Sequence, residues 1–239
     1  MNQRKVKKVK KRKWYLVFII SSIIIIILIY NITSYYYSYK KDLEFKEKIA
    51  EYDFDKLKEI NTDIVGFIEV DNTNISYPVV KSSDNSYYLN HSYTKEKNNI
   101  GSIFLDYRND LDNLSKNNII YGHGRLDNTM FGSLNNLLDS SNLDSKESYY
   151  ITLSTPNSIM TFKIFSVYTI PKEGYYIKTY FSSNKYFKEF LETIMKRSIY
   201  NFNTDVNTSD KILTLSTCKD NFGKRVVVHA KLLKKEETS

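Results

Sequence analysis

Among 239 residues there is one cysteine, Cys218, with only three histidines, three prolines and seven glycines. A lone cysteine excludes an internal disulfide and any Cys-x-x-Cys redox or zinc arrangement. Histidines at 91, 123 and 229, with no His-Glu-x-x-His run, leave little for a catalytic metal cluster. Glycine is too scarce for a phosphate-cradling loop. The nearest approach to a dinucleotide fingerprint, Gly122-His123-Gly124, continues as Arg125-Leu126-Asp127 and meets no third glycine, so nucleotide and dinucleotide enzymes drop out.

Acidic charge is absent from residues 1–13, which hold eight Lys and Arg, whereas 14–239 hold 27 residues of each sign. The formal net charge of +8 therefore describes a tail, and the remainder carries no basic footprint for nucleic acid. Charge of either sign is absent from Trp14 to Tyr39. The apolar heart, 14–32, would span roughly 29 Å as a helix, about the thickness of a bilayer's hydrocarbon core. Polar and aromatic residues follow it, with no small-residue cleavage pattern. This arrangement predicts a basic cytoplasmic tail over 1–13 and a transmembrane signal-anchor over 14–32. A helical juxtamembrane extension over 33–60 and an extracellular domain over 61–235 would follow. By the positive-inside rule the chain is expected to be a single-pass protein of the cell membrane, N-terminus inside.

Lys41 to Ile60 mixes Leu and Ile with Glu and Lys, and reads as one or two short amphipathic helices. Beyond it, short strands are expected at 64–70, 75–80, 102–106, 118–122, 149–153, 159–170, 211–217 and 225–233. One segment breaks the series: Phe187, Phe190, Leu191, Ile194, Met195 and Ile199 recur at helical spacing within 183–200, behind a Ser182-Ser183-Asn184 cap. The pattern is that of a mostly β barrel or sandwich with an inserted helix.

Cys218 ends the strand-like run 211–217 and opens a polar loop with one glycine, after which the chain re-enters a strand at Arg225. Such a hairpin brings the Arg225 guanidinium toward the Cys218 sulfur, a setting that favours thiolate. A cysteine nucleophile also needs a proton shuttle. His123, at the end of a strand and between two glycines, is the best placed; His91 reads as a surface residue and His229 as a core or half-buried strand residue.

These residues carry a resemblance. Thr214-Leu215-Ser216-Thr217-Cys218 with Arg225 downstream resembles the active-site motif of the sortases, and Tyr121-Gly122-His123 their histidine motif. Tyr77-Pro78-Val79-Val80, Asp84-Asn85 before Tyr88-Leu89, Gly101 to Arg108, and Met130-Phe131-Gly132 resemble class B members in particular. So does the amphipathic helix before the cysteine strand. Gly124 and Phe67 depart from the Asn and Trp common at those places, and the loop from Cys218 to Arg225 is short.

The resemblance implies a closed sortase β-barrel of about eight strands, with N-terminal helices and one long helix before the cysteine strand. It implies a cysteine transpeptidase that cleaves a C-terminal sorting signal of exported proteins after Thr. The acyl group would then pass to an amine of peptidoglycan or of its lipid-linked precursor. Cys218 would be the nucleophile, His123 the proton shuttle and Arg225 the oxyanion partner. Asn85, Leu89, Tyr121, Ser216 and Thr217 would line the sorting-signal groove. No metal or other cofactor is implied. Three rivals stand beside it: a cysteine endopeptidase using water, a pilin-polymerising sortase, and a non-enzymatic anchored binding protein.

Overall fold

A computed structural model describes residues 14–15, 18–30, 32–33, 53–139, 149–171, 173–217 and 223–238. The chain divides into two compact units, 1–53 and 54–239.

In the first unit, the described residues 14–15, 18–30 and 32–33 are helical. This overturns the expected single-pass anchor over 14–32: among the described residues no helix is long and apolar enough to cross a membrane. The expected span rested on a continuous apolar helix of about 19 residues, and the described residues contain none that meets both length and apolarity. The expected membrane localisation, with the N-terminus inside, falls with it.

The second unit begins with helix α1 (Phe54–Ile60); residues 41–52, where more helix was expected, lie outside the described residues. Eight strands follow: β1 (Ile64–Val70), β2 (Ser76–Val80), β3 (Ile103–Leu105), β4 (Asn117–Gly122), β5 (Tyr150–Ser154), β6 (Ser158–Pro171), β7 (Ile212–Thr217) and β8 (Lys224–Glu237). They close into a barrel in the order β1-β2-β3-β4-β7-β8-β6-β5, as expected for the fold class. In β1 every second side chain is buried, the period-2 signature of one face turned to a core. The β1–β2 turn is made by Asn72 at φ 60° and by Thr73, whose hydroxyl bonds Val70 O and Ile75 N.

Two ladders are parallel, β2 with β3 and β4 with β7. A parallel pair needs a long crossover, and here β5, β6 and helix α2 (Asn184–Lys196) separate β4 from β7 in the chain. Ser183 caps α2 by accepting from Tyr186 N. Phe187, Phe190, Leu191 and Ile194 bury its apolar face against Phe165, Tyr168 and Val227. Met195 and Ile199, counted in the same stripe from sequence, are 41% and 47% exposed. The barrel interior is a separate cluster that includes Ile68, Val79, Ile120, Leu153, Phe162, Leu215 and Val228.

Candidate active site

The β4–β7 ladder ends with Tyr121 opposite Ser216 and Gly122 opposite Thr217. Both strands run the same way, so Gly122 and Thr217, which precede His123 and Cys218 in the chain, end side by side at one edge of the barrel. Cys218 and loop residues 219–222 lie outside the described residues. On the other flank of β7, Ser216 pairs antiparallel with Val227, and Val226 N donates to Thr217 Oγ1 at 2.9 Å. Arg225 lies two residues before Val227 on β8 and pairs with Ile170 of β6.

His123 is half-buried. Its Nε2 lies 2.7 Å from Leu89 O; a carbonyl only accepts, so Nε2 carries the hydrogen and Nδ1 is the basic nitrogen of the neutral ring. Gly101 makes the close approach possible. It stands at φ +66°, and a Cβ there would lie 2.7 Å from Leu89 O and 2.9 Å from His123 Cδ2. Downstream, Phe131 N donates to His123 O at 3.0 Å, and Gly124 bridges Met130, so the loop after the histidine returns to the strand end.

Arg225 Nη1 donates to Tyr176 Oη at 3.1 Å. Tyr176 Oη is 2.9 Å from Ser216 Oγ, and Ser216 Oγ points on to Thr217 O at 3.3 Å. Tyr176, from the 3-10 turn Tyr175–Ile177, had no signal in the sequence: short 3-10 turns lack a readable period.

The expected groove residues fall into two groups. Asn85, Leu89 and Tyr121 gather at one side, and the first and last meet through Asp106. Its carboxylate accepts from Asn85 Nδ2 (3.0 Å), Tyr121 Oη (2.9 Å), Arg108 Nε (2.8 Å) and Arg108 Nη2 (2.7 Å). Burial raises the carboxyl's pKa, but the hydrogen bonds from Arg108 and Tyr121 and the Arg108 charge outweigh it and hold Asp106 below the usual carboxylate range. Burial, with Asp106 alongside, pushes the Tyr121 hydroxyl upward. Leu89 ends the 3-10 turn Tyr87–Leu89 and packs against the cluster that contains Tyr88, Phe104 and Tyr121. Ser216 and Thr217 form the second group, buried at the end of β7. Asp106, Tyr176 and the Leu89 carbonyl are the neighbours that sequence reading missed.

Of the remaining histidines, His91 is half-buried, not a simple surface residue: it donates from Nδ1 to Tyr87 O at 2.7 Å and stacks on the Tyr87 ring. His229 is in the core, as its strand position suggested.

A sortase domain family model matches residues 68–233. The chain belongs to the sortase family. Within it the likeness is to class B. A Listeria monocytogenes sortase B is 40% identical over 182 residues, covering 75% of this chain and 73% of that protein. The Staphylococcus aureus sortase B–substrate complex superposes with a TM-score of 0.71 at 38% identity, covering 76% of this chain and 84% of that one. A sortase B structure complexed with triglycine gives a TM-score of 0.73 at 35% identity, with 82% and 94% covered. This chain is a class B sortase by fold and family, a group of cysteine transpeptidases. The matched span begins inside β1 and ends inside β8, so it takes in every strand of the sortase barrel.

Proposed function

We propose that this sortase, with 61–235 as its catalytic domain, cleaves a C-terminal sorting signal of exported proteins after Thr. It then transfers the acyl group to an amine of peptidoglycan or its lipid-linked precursor. The observation that carries the reading is the shared end of β4 and β7, after which His123 follows Gly122 and Cys218 follows Thr217 in the chain, with Arg225 two residues before Val227, the β8 partner of Ser216. The relatives support it by kind: one sortase B structure is a complex with substrate and one is a complex with triglycine.

In this reading the Cys218 thiolate attacks the Thr carbonyl carbon. The carbonyl π electrons move to oxygen, and the Arg225 guanidinium stabilises that oxyanion. Collapse forms the thioester and breaks the C–N bond, while His123 gives its Nδ1 proton to the departing amine. The incoming amine then attacks the thioester, His123 takes up its proton, and the amide forms as the thiolate is released. The Leu89 carbonyl holds the Nε2–H side of the ring throughout, which reserves Nδ1 for proton transfer. Asn85, Leu89, Tyr121, Ser216 and Thr217 border the groove, the first and third set by Asp106 and the last two by the end of β7.

The test is to incubate the full-length chain with a panel of fluorogenic sorting peptides, with and without an amine acceptor such as triglycine, beside Cys218→Ala. Cleavage after Thr, amide product when amine is present, and loss of both in the variant are expected. Free acid as the sole product under every amine tried would replace transfer by hydrolysis. Acyl transfer only to a Lys side chain of a protein subunit would replace the wall amine by a pilin. No cleavage, with Cys218 inert to an alkylating agent, would leave a non-enzymatic binding protein.

A further inference from the structure

Behind Arg225, in the buried layer between β4, β7 and β8, runs a chain of polar side chains that the transfer reaction does not itself use. His229, Thr214 and Asn117 are each fully buried. Thr214 Oγ1 donates to Asn117 Oδ1 at 2.6 Å. A hydroxyl has one hydrogen, so its contact with His229 Nδ1 at 2.8 Å has the ring donating. His229 Nε2 therefore accepts from Tyr168 Oη at 2.9 Å, and Tyr168 Oη in turn accepts from Tyr175 Oη at 3.1 Å. At the other end both hydrogens of Asn117 Nδ2 are used, one to Tyr176 O at 3.1 Å and one to Lys178 O at 2.9 Å.

The direction of every bond is thus fixed, and each hydrogen on these nitrogens and hydroxyls has one acceptor. Apolar side chains would fill the same core without the desolvation that these groups incur, and a buried polar network is tolerable only when fully satisfied. What this one grips is the 173–178 segment, through the two carbonyls at Tyr176 and Lys178. That segment presents Tyr176 Oη, the acceptor of the Arg225 guanidinium and the neighbour of Ser216.

We infer that the buried relay His229–Thr214–Asn117 sets the direction of the Arg225 guanidinium by holding the Tyr176 turn, so that these three act as positioning residues for acyl transfer. The inference rests on the role proposed for Arg225. It links β8 to itself by a path through three other elements: from His229 across Thr214 and Asn117 to Tyr176, and back to Arg225 four residues before the start. The guanidinium is thereby fixed by packing remote from the reacting atoms.

The test uses Thr214→Val, which keeps the shape and removes both hydroxyl bonds, in the full-length chain. With a cleaved sorting peptide, kcat is expected to fall about tenfold, the scale of a misplaced catalytic group, while KM stays within about twofold. In an Arg225→Ala background the same substitution is expected to change kcat less than about twofold, because its effect passes through the arginine. Equal effects in the two backgrounds would overturn the inference and leave a packing role only. A second readout needs no turnover. The Arg225 guanidinium N–H signal of isotope-labelled protein, assigned with Arg225→Lys, is expected to move to the free-arginine position in Thr214→Val; an unmoved signal would also overturn it. If the wild-type chain cleaves no peptide, the proposed function fails, and the guanidinium signal still decides the relay. Should Thr214→Val not fold, Tyr168→Phe, which removes one hydroxyl at the outer end, is expected to shift the same signal by a smaller amount.

Discussion

Gly122 and Thr217 are the last paired residues of the parallel β4–β7 ladder. Neighbouring strands lie about 4.8 Å apart, so the two strand ends, which precede His123 and Cys218 in the chain, lie within side-chain reach of each other. Parallel pairing matters here. An antiparallel pair would send the two residues to opposite ends of the barrel, and neither chemistry nor packing could reunite them.

Gly101 tests the seat of the histidine. Alanine there meets Leu89 O, Tyr88 O and His123 Cδ2, all closer than 3.0 Å, at a positive φ that L residues resist. Gly101→Ala is expected to destabilise by at least about 1–2 kcal/mol from the backbone alone. It should also lower kcat for peptide cleavage by an order of magnitude or more as the ring is pushed off Leu89 O. A thermal melt and steady-state kinetics check both; full activity would mean that the Leu89 contact does not position the ring.

Asp106 joins Asn85, Tyr121 and Arg108. Asp106→Asn keeps the shape but removes the charge and turns one acceptor oxygen into a donor. A loss of about 1–3 kcal/mol is expected from the unsatisfied donors, read in denaturant unfolding. If Asn85 and Tyr121 border the groove, KM for the sorting peptide rises more than kcat falls. A fall in kcat alone would move Asp106's influence from substrate binding to the chemistry.

His229 makes the fold acid-sensitive in a defined window. Burial lowers its pKa from 6.5 to about 3, so the folded state keeps it neutral while the unfolded chain takes up a proton below about 6.5. Its contribution to stability is therefore complete above the unfolded value and is lost as pH falls toward the folded one, by up to about 1.4 kcal/mol per unit. Asp106, with its lowered pKa, adds a loss of the same sign at lower pH. Denaturant midpoints of wild type between about pH 7 and about pH 4.5 are expected to drop steeply, and those of His229→Val less so. Parallel curves would show that His229 does not carry the sensitivity.

Much of this was legible in the chain. Each of the eight strands was placed within a few residues, because β-branched and aromatic runs between turn residues mark them directly. β1 falls on Ile64–Val70 as expected, and α2 within one residue of its serine cap. His123 and Arg225 could be singled out because each sits at a strand end beside glycine or a polar loop. The partners could not. Leu89 acts on His123 through a backbone carbonyl, which no side chain announces. Tyr176 and Asp106 meet Arg225 and Tyr121 only because of barrel closure and register. His229 could be placed in the core from its valine neighbours, but its bonds to Thr214 and Tyr168 depend on pairing between strands distant in sequence. The apolar run 14–32 was read as a span from composition and length alone, and among the described residues no helix meets both requirements.

The central claim, that Cys218 carries the acyl group, is tested most directly by intact-protein mass spectrometry of the full-length chain mixed with a sorting peptide and no amine. The expected result is an adduct equal to the peptide's N-terminal part through Thr, mapped to Cys218, released by hydroxylamine and absent in Cys218→Ala. Peptide cleavage that persists in Cys218→Ala, or an adduct mapped to any other residue, would contradict it.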